Sequence, residues 1–360
     1  MKAVLVLEDG TYYAGESFGA RGDAYGEVVF NTCMTGYQEV VTDPSYNGQM
    51  VCMTYPLIGN YGMNQEDAES SKTRIDGFIV KELCDYHSNF RADISPEDYF
   101  AKNGITGIKG VDTRAITQHI RRFGSMYGVI STHSGNISIL LDKLMERKGI
   151  KRDLVGEVTT ENPFNLPGNG PRISLIDFGA KSNIIRSLSN RNCDITVFPA
   201  ATPAGVVLAG KPDGIVLSNG PGDPRNLGAV VSAVVELADS GIPMLGICLG
   251  HQLLALALDM EIYKLKFGHH GGNHPVKDLS TGRCHITSQN HNYAVSADRI
   301  PAGIEITHIN ANDKSVEGFC RPGYPLVSVQ YHPEASPGPE DSAYIFDDFM
   351  KLVMKGRQDA

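Results

Sequence analysis

Pro243-Met244-Leu245-Gly246-Ile247-Cys248-Leu249-Gly250-His251-Gln252 joins a short apolar run, Pro243 to Ile247, to a longer one, Leu249 to Met260. The short run reads as a buried strand and the long one as a helix. A Gly-x-Cys-x-Gly at such a join is the thiol form of a nucleophile elbow. Glycines let the backbone turn sharply and keep space clear beside the sulfur. The helix N-terminus behind the sulfur favours negative charge there. Downstream lies Gln330-Tyr331-His332-Pro333-Glu334. In an extended segment, residues two apart point to one side. Glu334 then orients His332, and His332 deprotonates Cys248, giving nucleophile, base and orienter. A lone cysteine near glycines is more often a small packing residue. Here strand, elbow, helix and His-x-Glu occur together and in order, which favours chemistry.

Outward from the elbow, strand and helix signals alternate. Arg172 to Asp177, Asp194 to Phe198 and Gly214 to Ser218 read as strands. Ser182 to Arg191 and Gly228 to Ser240 read as helices, and a terminal helix is expected from Gly338. Such alternation with apolar strands predicts an α/β domain, its mostly parallel sheet covered by helices on both faces. Sites in such sheets lie beyond the carboxyl ends of the strands, where Cys248 and Gly220-Pro221-Gly222 both fall. The chain before this is different. Ala3 to Leu7, Glu27 to Phe30 and Gln49 to Thr54 are strand-like. Ser95 to Asn103 is a short helix with Ser95 as cap and Pro96 at its first position, and Asp112 to Phe123 is another. This predicts a mixed β/α domain over 1–155. A Pro-, Gly- and Asn-rich stretch without periodicity, 156–171, reads as a linker, and the second domain runs over 172–360.

A length of 360 residues accommodates two such domains. A net charge of -9 speaks against general binding to nucleic acid or membrane surfaces. The first apolar run stops at Glu8-Asp9, too short for a signal peptide, and no run reaches transmembrane length. Seven scattered cysteines, an odd number without a CxxC, suit reduced thiols, so a cytoplasmic location is expected. Neither a phosphate-binding Gly-x-x-x-x-Gly-Lys-Ser/Thr loop nor a strand-end Gly-x-Gly-x-x-Gly is present.

Three blocks now stand together: Gly246 to Gln252, the loop Leu217-Ser218-Asn219-Gly220-Pro221-Gly222-Asp223-Pro224, and His332-Pro333-Glu334. From near Arg172 to near Lys355 the chain resembles the class I glutamine amidotransferases. The first half carries Met34-Thr35-Gly36-Tyr37-Gln38-Glu39, Thr42-Asp43-Pro44-Ser45-Tyr46, Tyr55-Pro56-Leu57-Ile58-Gly59-Asn60 and Gly110-Val111-Asp112-Thr113-Arg114. With these it resembles the small, glutamine-hydrolysing subunits of carbamoyl-phosphate synthetases.

The resemblance implies a ligase subunit acting on L-glutamine, with Cys248, His332 and Glu334 catalytic. The backbone N–H of Leu249 is the expected first oxyanion donor. A second must come from Gly220 or Gly222, since Pro221 has no N–H. Ser45, Gly220, Gly222, Leu249, Gln252, Asn290, Asn292 and Tyr293 match glutamine-binding positions. The chain has Asn292-Tyr293 where the family often has Gly-Phe. No cofactor or metal is expected on this chain. ATP, Mg and bicarbonate are expected on a large-subunit partner, which forms a heterodimer or higher oligomer and receives ammonia through an internal tunnel. Residues 1–155 are the expected docking surface. The product would serve arginine or pyrimidine synthesis, or both.

Two histidine signals are set aside. His269-His270-Gly271-Gly272-Asn273-His274 lacks a nearby acid or cysteine to complete a metal set and reads as a polar loop. His251 stands at the start of the helix and is disfavoured as the base. The alternatives are another amidotransferase, against which the Thr42–Tyr46 block argues, a non-catalytic docking or regulatory subunit, and a thiol hydrolase of esters or peptides.

Overall fold

The computed structural model describes residues 1–148 and 150–359. Among them, no helix is long and apolar enough to cross a membrane. The chain divides into two compact units, one of Met1–Leu154 with Lys266–Gly271, the other of Val155–Leu265 with Gly272–Ala360. The main division of the chain thus falls between Leu154 and Val155. The short insertion at Lys266–Gly271 has no sequence signal.

The first unit is a closed barrel. Its strands run in the order Lys2–Leu7, Tyr12–Gly19, Thr106–Lys109, Gly77–Ile79, Gln49–Met53, Asp23–Asn31 and Met126–Ser131. Alternation along a strand sends successive side chains to opposite faces. Leu5 and Leu7 pack with Val28, Phe30, Met50 and Ile120. Val4 and Val6 pack with Val129, Leu140 and Leu144, the last two from the helix Ile137–Lys148. The expected helices form at Pro96–Lys102 and Thr113–Phe123. Ser95 caps the first by accepting from the Asp98 N–H, and Asp112 caps the second by accepting from Ala115.

The second unit is built on a sheet whose core is parallel. Asp194–Pro199, Arg172–Asp177, Gly214–Leu217, Met244–Ile247 and Leu326–Val329 are parallel neighbours in that order. Period-2 alternation splits their side chains. Ile215, Leu217 and Met244 meet the helices Ala204–Ala209, Gly228–Asp239 and Leu249–Ala257. Val216, Leu245 and Ile247 meet Ser182–Ser189 and Tyr344–Asp359 on the other face. Both faces are covered, as the alternating signals require.

Beyond Leu326–Val329 the sheet continues through antiparallel strands, Val316–Cys320 and then Cys284–Val295. Three expectations change. The segment 156–171 is not a linker but part of the second unit. Its Phe164–Leu166 pairs antiparallel with Asp194–Pro199 and closes that edge, while Val155 and Val158 are buried. Residues 269–274 lie within the strand Ile262–Asp278 rather than in a loop. The terminal helix begins at Tyr344, not Gly338, because the chain after Glu334 makes an irregular turn first.

Candidate active site

The strand Met244–Ile247 ends at Cys248 and the helix Leu249–Ala257 starts at once. The turn is carried by the cysteine itself, at φ 52° and ψ −102°. A side chain at positive φ is strained, and here the neighbours fix it in place. The Cys248 N–H donates to the Val329 carbonyl at 3.0 Å, the Gly250 N–H to Ser218 at 3.0 Å, and the Gln252 N–H back to Cys248 at 3.1 Å. The flanking glycines serve a different purpose from the expected one. A Cβ at Gly250 would fall on the Leu217 carbonyl, and one at Gly246 would press on Leu254 and on the Gly250 backbone. They permit close approach of helix to sheet. As the first helical residue, Leu249 has no acceptor in a preceding turn for its N–H, which suits it to an anionic oxygen.

The glycine loop lies at the end of the neighbouring strand, Gly214–Leu217. Gly222 adopts φ 91°, a region that suits glycine, and a Cβ at Gly220 would strike the Phe178 carbonyl. Ser218 and Asn219 stitch this strand end to the next. Ser218 Oγ accepts from the Phe178 N–H at 2.9 Å, and Asn219 Oδ1 accepts from the Lys181 N–H at 3.0 Å.

His332 and Glu334 come together by a turn, not by extended chain. The Ala335 N–H donates to the His332 carbonyl at 3.2 Å, and the His332 N–H donates to Ser288 at 2.9 Å. His332 Nδ1 and Glu334 Oε1 are 2.6 Å apart, with both side chains essentially out of water. Among the described residues His332 Nε2 is buried without a conventional hydrogen-bond partner. The ring also interacts with the Cys248 thiol and, electrostatically, with Lys181. The Cys248 sulfur itself is 3.6 Å from the Asn290 carbonyl oxygen.

One residue of this array escaped the sequence reading. Lys181 is 1% exposed, and its Nζ stands 3.0 Å from Glu334 Oε1 and donates to the Ala335 carbonyl. Its signal was positional: it follows the strand Arg172–Asp177, beyond whose carboxyl end sites of such sheets lie. Burial pushes the Glu334 carboxyl up, but the Lys181 ammonium and the His332 ring outweigh it and bring it to about 2. Burial also disfavours charge on His332. The Glu334 carboxylate and the Cys248 thiol prevail and raise the ring to about 10.

These shifts set a pH dependence of stability. A raised value stabilises the fold fully below the unfolded value, about 6.5 for histidine, and that part fades as pH climbs through the folded value. For Glu334 the sign reverses: its part is present above about 4.3 and fades as pH falls. The wild type is therefore expected to lose thermal stability as pH rises from about 6.5 towards 10, and His332→Asn to lose much of that alkaline decline. Unfolding midpoints measured across that range test this; parallel curves for the two proteins would count against it.

His251 is fully buried, with Nδ1 2.6 Å from Ser328 Oγ. Burial lowers it to about 3, so it stays neutral. Gln252 Nε2 donates to the Tyr293 carbonyl at 2.8 Å and to Gln330 Oε1 at 3.0 Å. Asn290, Asn292 and Tyr293 lie in the strand Cys284–Val295, with both asparagines buried. Asn292 is not among the residues at positive φ, so its side chain adds no backbone strain there. The structure thus gathers Cys248, His332, Glu334, Lys181 and Asn290 in one contact network, and links Gln252 to Tyr293. Ser45 belongs to the first unit, in the turn Pro44–Tyr46, where Asp43 accepts from its N–H at 2.9 Å.

Comparison with known proteins gives two family matches. Residues 174–352 match the family "Glutamine amidotransferase class-I". Residues 5–130 match "Carbamoyl-phosphate synthase small chain, CPSase domain". Over 354 residues the chain is 51% identical to the carbamoyl phosphate synthase small chain of Clostridium perfringens, covering 98% of this chain and 100% of the relative. The small chain of Symbiobacterium thermophilum is 51% identical over 353 residues, 96% of this chain and 97% of that one. That of Syntrophotalea carbinolica is 50% identical over 374 residues, covering 99% of both.

Proposed function

The chain belongs to the family of carbamoyl phosphate synthase small chains, and on that premise we propose that Cys248, His332 and Glu334 hydrolyse L-glutamine to glutamate and ammonia. The observation that carries this reading is the buried line from the Cys248 thiol through His332 to Glu334, with Lys181 behind it.

The amide carbon of glutamine is a poor electrophile, so the sulfur attacks as thiolate while His332 holds the proton. The C–S bond forms, and the carbonyl oxygen takes the negative charge. The Leu249 N–H and a glycine N–H from Gly220 or Gly222 face that charge as preorganised donors. The C–N bond then breaks, and His332 delivers its proton to the departing nitrogen, which leaves as ammonia. The neutral ring next takes a proton from water as its oxygen adds to the thioester. The C–S bond breaks, glutamate leaves, and the proton on His332 faces a sulfur anion again. Glu334 keeps the ring in place throughout, and Lys181 holds Glu334.

Gln252, Asn290, Asn292 and Tyr293 are proposed to hold the α-amino and α-carboxyl groups of glutamine. Ser45 is assigned to glutamine binding on the resemblance alone. The partner is the synthase large chain, to which ATP, Mg and bicarbonate belong and to which ammonia passes by an internal route. The assembly works in the cytoplasm and supplies arginine or pyrimidine synthesis.

The test is glutamate release by the purified chain, with and without a carbamoyl phosphate synthase large chain. Slow release alone and strong stimulation by partner, ATP and bicarbonate are expected. Fast release indifferent to the partner would instead indicate a stand-alone glutaminase or another amidotransferase.

A further inference from the structure

Tyr293 touches three of the elements that carry the proposed glutamine contacts. Its carbonyl accepts from Gln252 Nε2 at 2.8 Å, which ties it to the helix of the nucleophile. The same carbonyl stands 2.7 Å from His291 Nδ1, within its own strand. Its side chain reaches the glycine loop. The Arg225 guanidinium lies over the ring, 5.3 Å from its centre, and the phenol hydrogen-bonds with both Asp223 and Arg225. Asp223 and Arg225 form a closed pair of their own: Arg225 Nε and Nη2 donate to the two carboxylate oxygens at 2.9 and 2.7 Å, and the Arg225 N–H donates to Oδ1 at 3.0 Å.

Asp223 directly follows Gly220-Pro221-Gly222, the loop with the candidate oxyanion donors. Gly222 is exposed and at positive φ between the buried Pro221 and Pro224, so that point of the loop has no side chain of its own to hold it. Gly220 and Gly222 are also proposed glutamine-binding positions, and a binding group must keep its place to within a fraction of an ångström. The Tyr293 hydroxyl meets the charged pair at the foot of the loop.

We propose that the Tyr293 hydroxyl is a positioning group for glutamine capture: it fastens the glycine loop, through Asp223 and Arg225, to the strand and helix that form the rest of the glutamine site. Tyr293 acts through the loop and takes no part in bond making. The inference rests on the glutaminase reading above and adds to it a residue that sets the affinity for glutamine.

The experiment uses the chain in complex with a synthase large chain and follows carbamoyl phosphate formation against glutamine and, separately, against ammonia. Tyr293→Phe keeps the ring and the carbonyl and removes only the hydroxyl. Its KM for glutamine is expected to rise about ten-fold with kcat within about two-fold, because the loss is in ground-state binding. Ammonia-dependent synthesis should not change. Asp223→Ala should raise KM at least as much, and adding Tyr293→Phe to it should cost less than about two-fold more, as for groups acting through one contact.

A wild-type KM in Tyr293→Phe overturns the proposal. So do losses that multiply in the double variant, and so does a fall in ammonia-dependent synthesis, which would indicate general damage. Failure of the parent reading has its own signature: Cys248→Ser that still uses glutamine, whatever Tyr293→Phe does.

Discussion

Cys248→Ser will end glutamine-dependent carbamoyl phosphate synthesis while the complex with the large chain continues to use free ammonia. The reason is local. The sulfur sits at the apex of a strained turn, 3.6 Å from the Asn290 carbonyl oxygen and interacting with the His332 ring, with its backbone N–H tied to Val329. A serine hydroxyl occupies nearly the same space, so the elbow and its packing survive. Its oxygen is far less acidic than a thiol, and an amide needs a strong nucleophile. The expected loss in kcat/KM for glutamine is on the order of 10³-fold or more, as for removal of a nucleophile in other covalent enzymes. Initial rates with glutamine and with ammonium chloride, measured on one preparation, separate this from misfolding. Retained glutamine use would remove Cys248 from the chemistry. Loss of both activities would mean that the substitution had damaged the assembly.

The second large effect belongs to Lys181. Its ammonium and the Glu334 carboxylate lie 3.0 Å apart, with side chains 2% and 0% exposed. Removing Lys181 leaves the Glu334 carboxylate with His332 as its one remaining cationic neighbour among the described residues, in a place that water does not reach. That typically costs about 3–5 kcal/mol. Lys181→Met should therefore lower the unfolding free energy by about that much. It should also depress glutamine hydrolysis, because Glu334 loses what holds it against His332.

The companion variant decides between charge and shape. In Lys181→Met/Glu334→Gln no buried carboxylate remains, and most of the stability should return. Activity should not return, since a neutral amide does not stabilise the imidazolium. Denaturant unfolding and glutaminase rates on both variants check this. A double variant no more stable than Lys181→Met would show that the lysine contributes packing rather than charge.

How much of the site could be read in advance depended on how far its parts lie apart in the chain. The elbow is contiguous, so Gly246 to Gln252 disclosed both the strand-to-helix turn and the cysteine proposed as its nucleophile. His332 and Glu334 were legible as a pair because they are two residues apart, although they meet through a turn and not along a strand. Lys181 was not legible. Its meaning depends on a carboxylate 153 positions away, and nothing in Phe178-Gly179-Ala180-Lys181-Ser182 refers to it. The Tyr293 clasp was hidden for the same reason: its partners Asp223 and Arg225 sit on a loop that only the sheet brings near.

The fold divides similarly. The parallel core was visible because buried strands and amphipathic helices alternate, each with its own period. The edge strand Phe164–Leu166 was concealed by the prolines and glycines around it, and its place is decided by pairing with Asp194–Pro199. The first unit read only as β-rich. Its closure into a barrel needs Lys2–Leu7 to pair with Met126–Ser131, more than a hundred residues later.

By itself, then, the sequence determined the local matters: which segments are strand or helix, where the thiol stands, and which histidine and glutamate lie beyond it. Those follow from backbone sterics and from hydrophobic periods that act over a few residues. Only the tertiary structure decided which buried charges face one another, which carbonyls forbid a side chain at Gly220 and Gly250, and how a hydroxyl on one strand steadies a loop on another. Desolvation and charge pairing act through space, and their partners are chosen by the packing of the sheet rather than by neighbours in the chain.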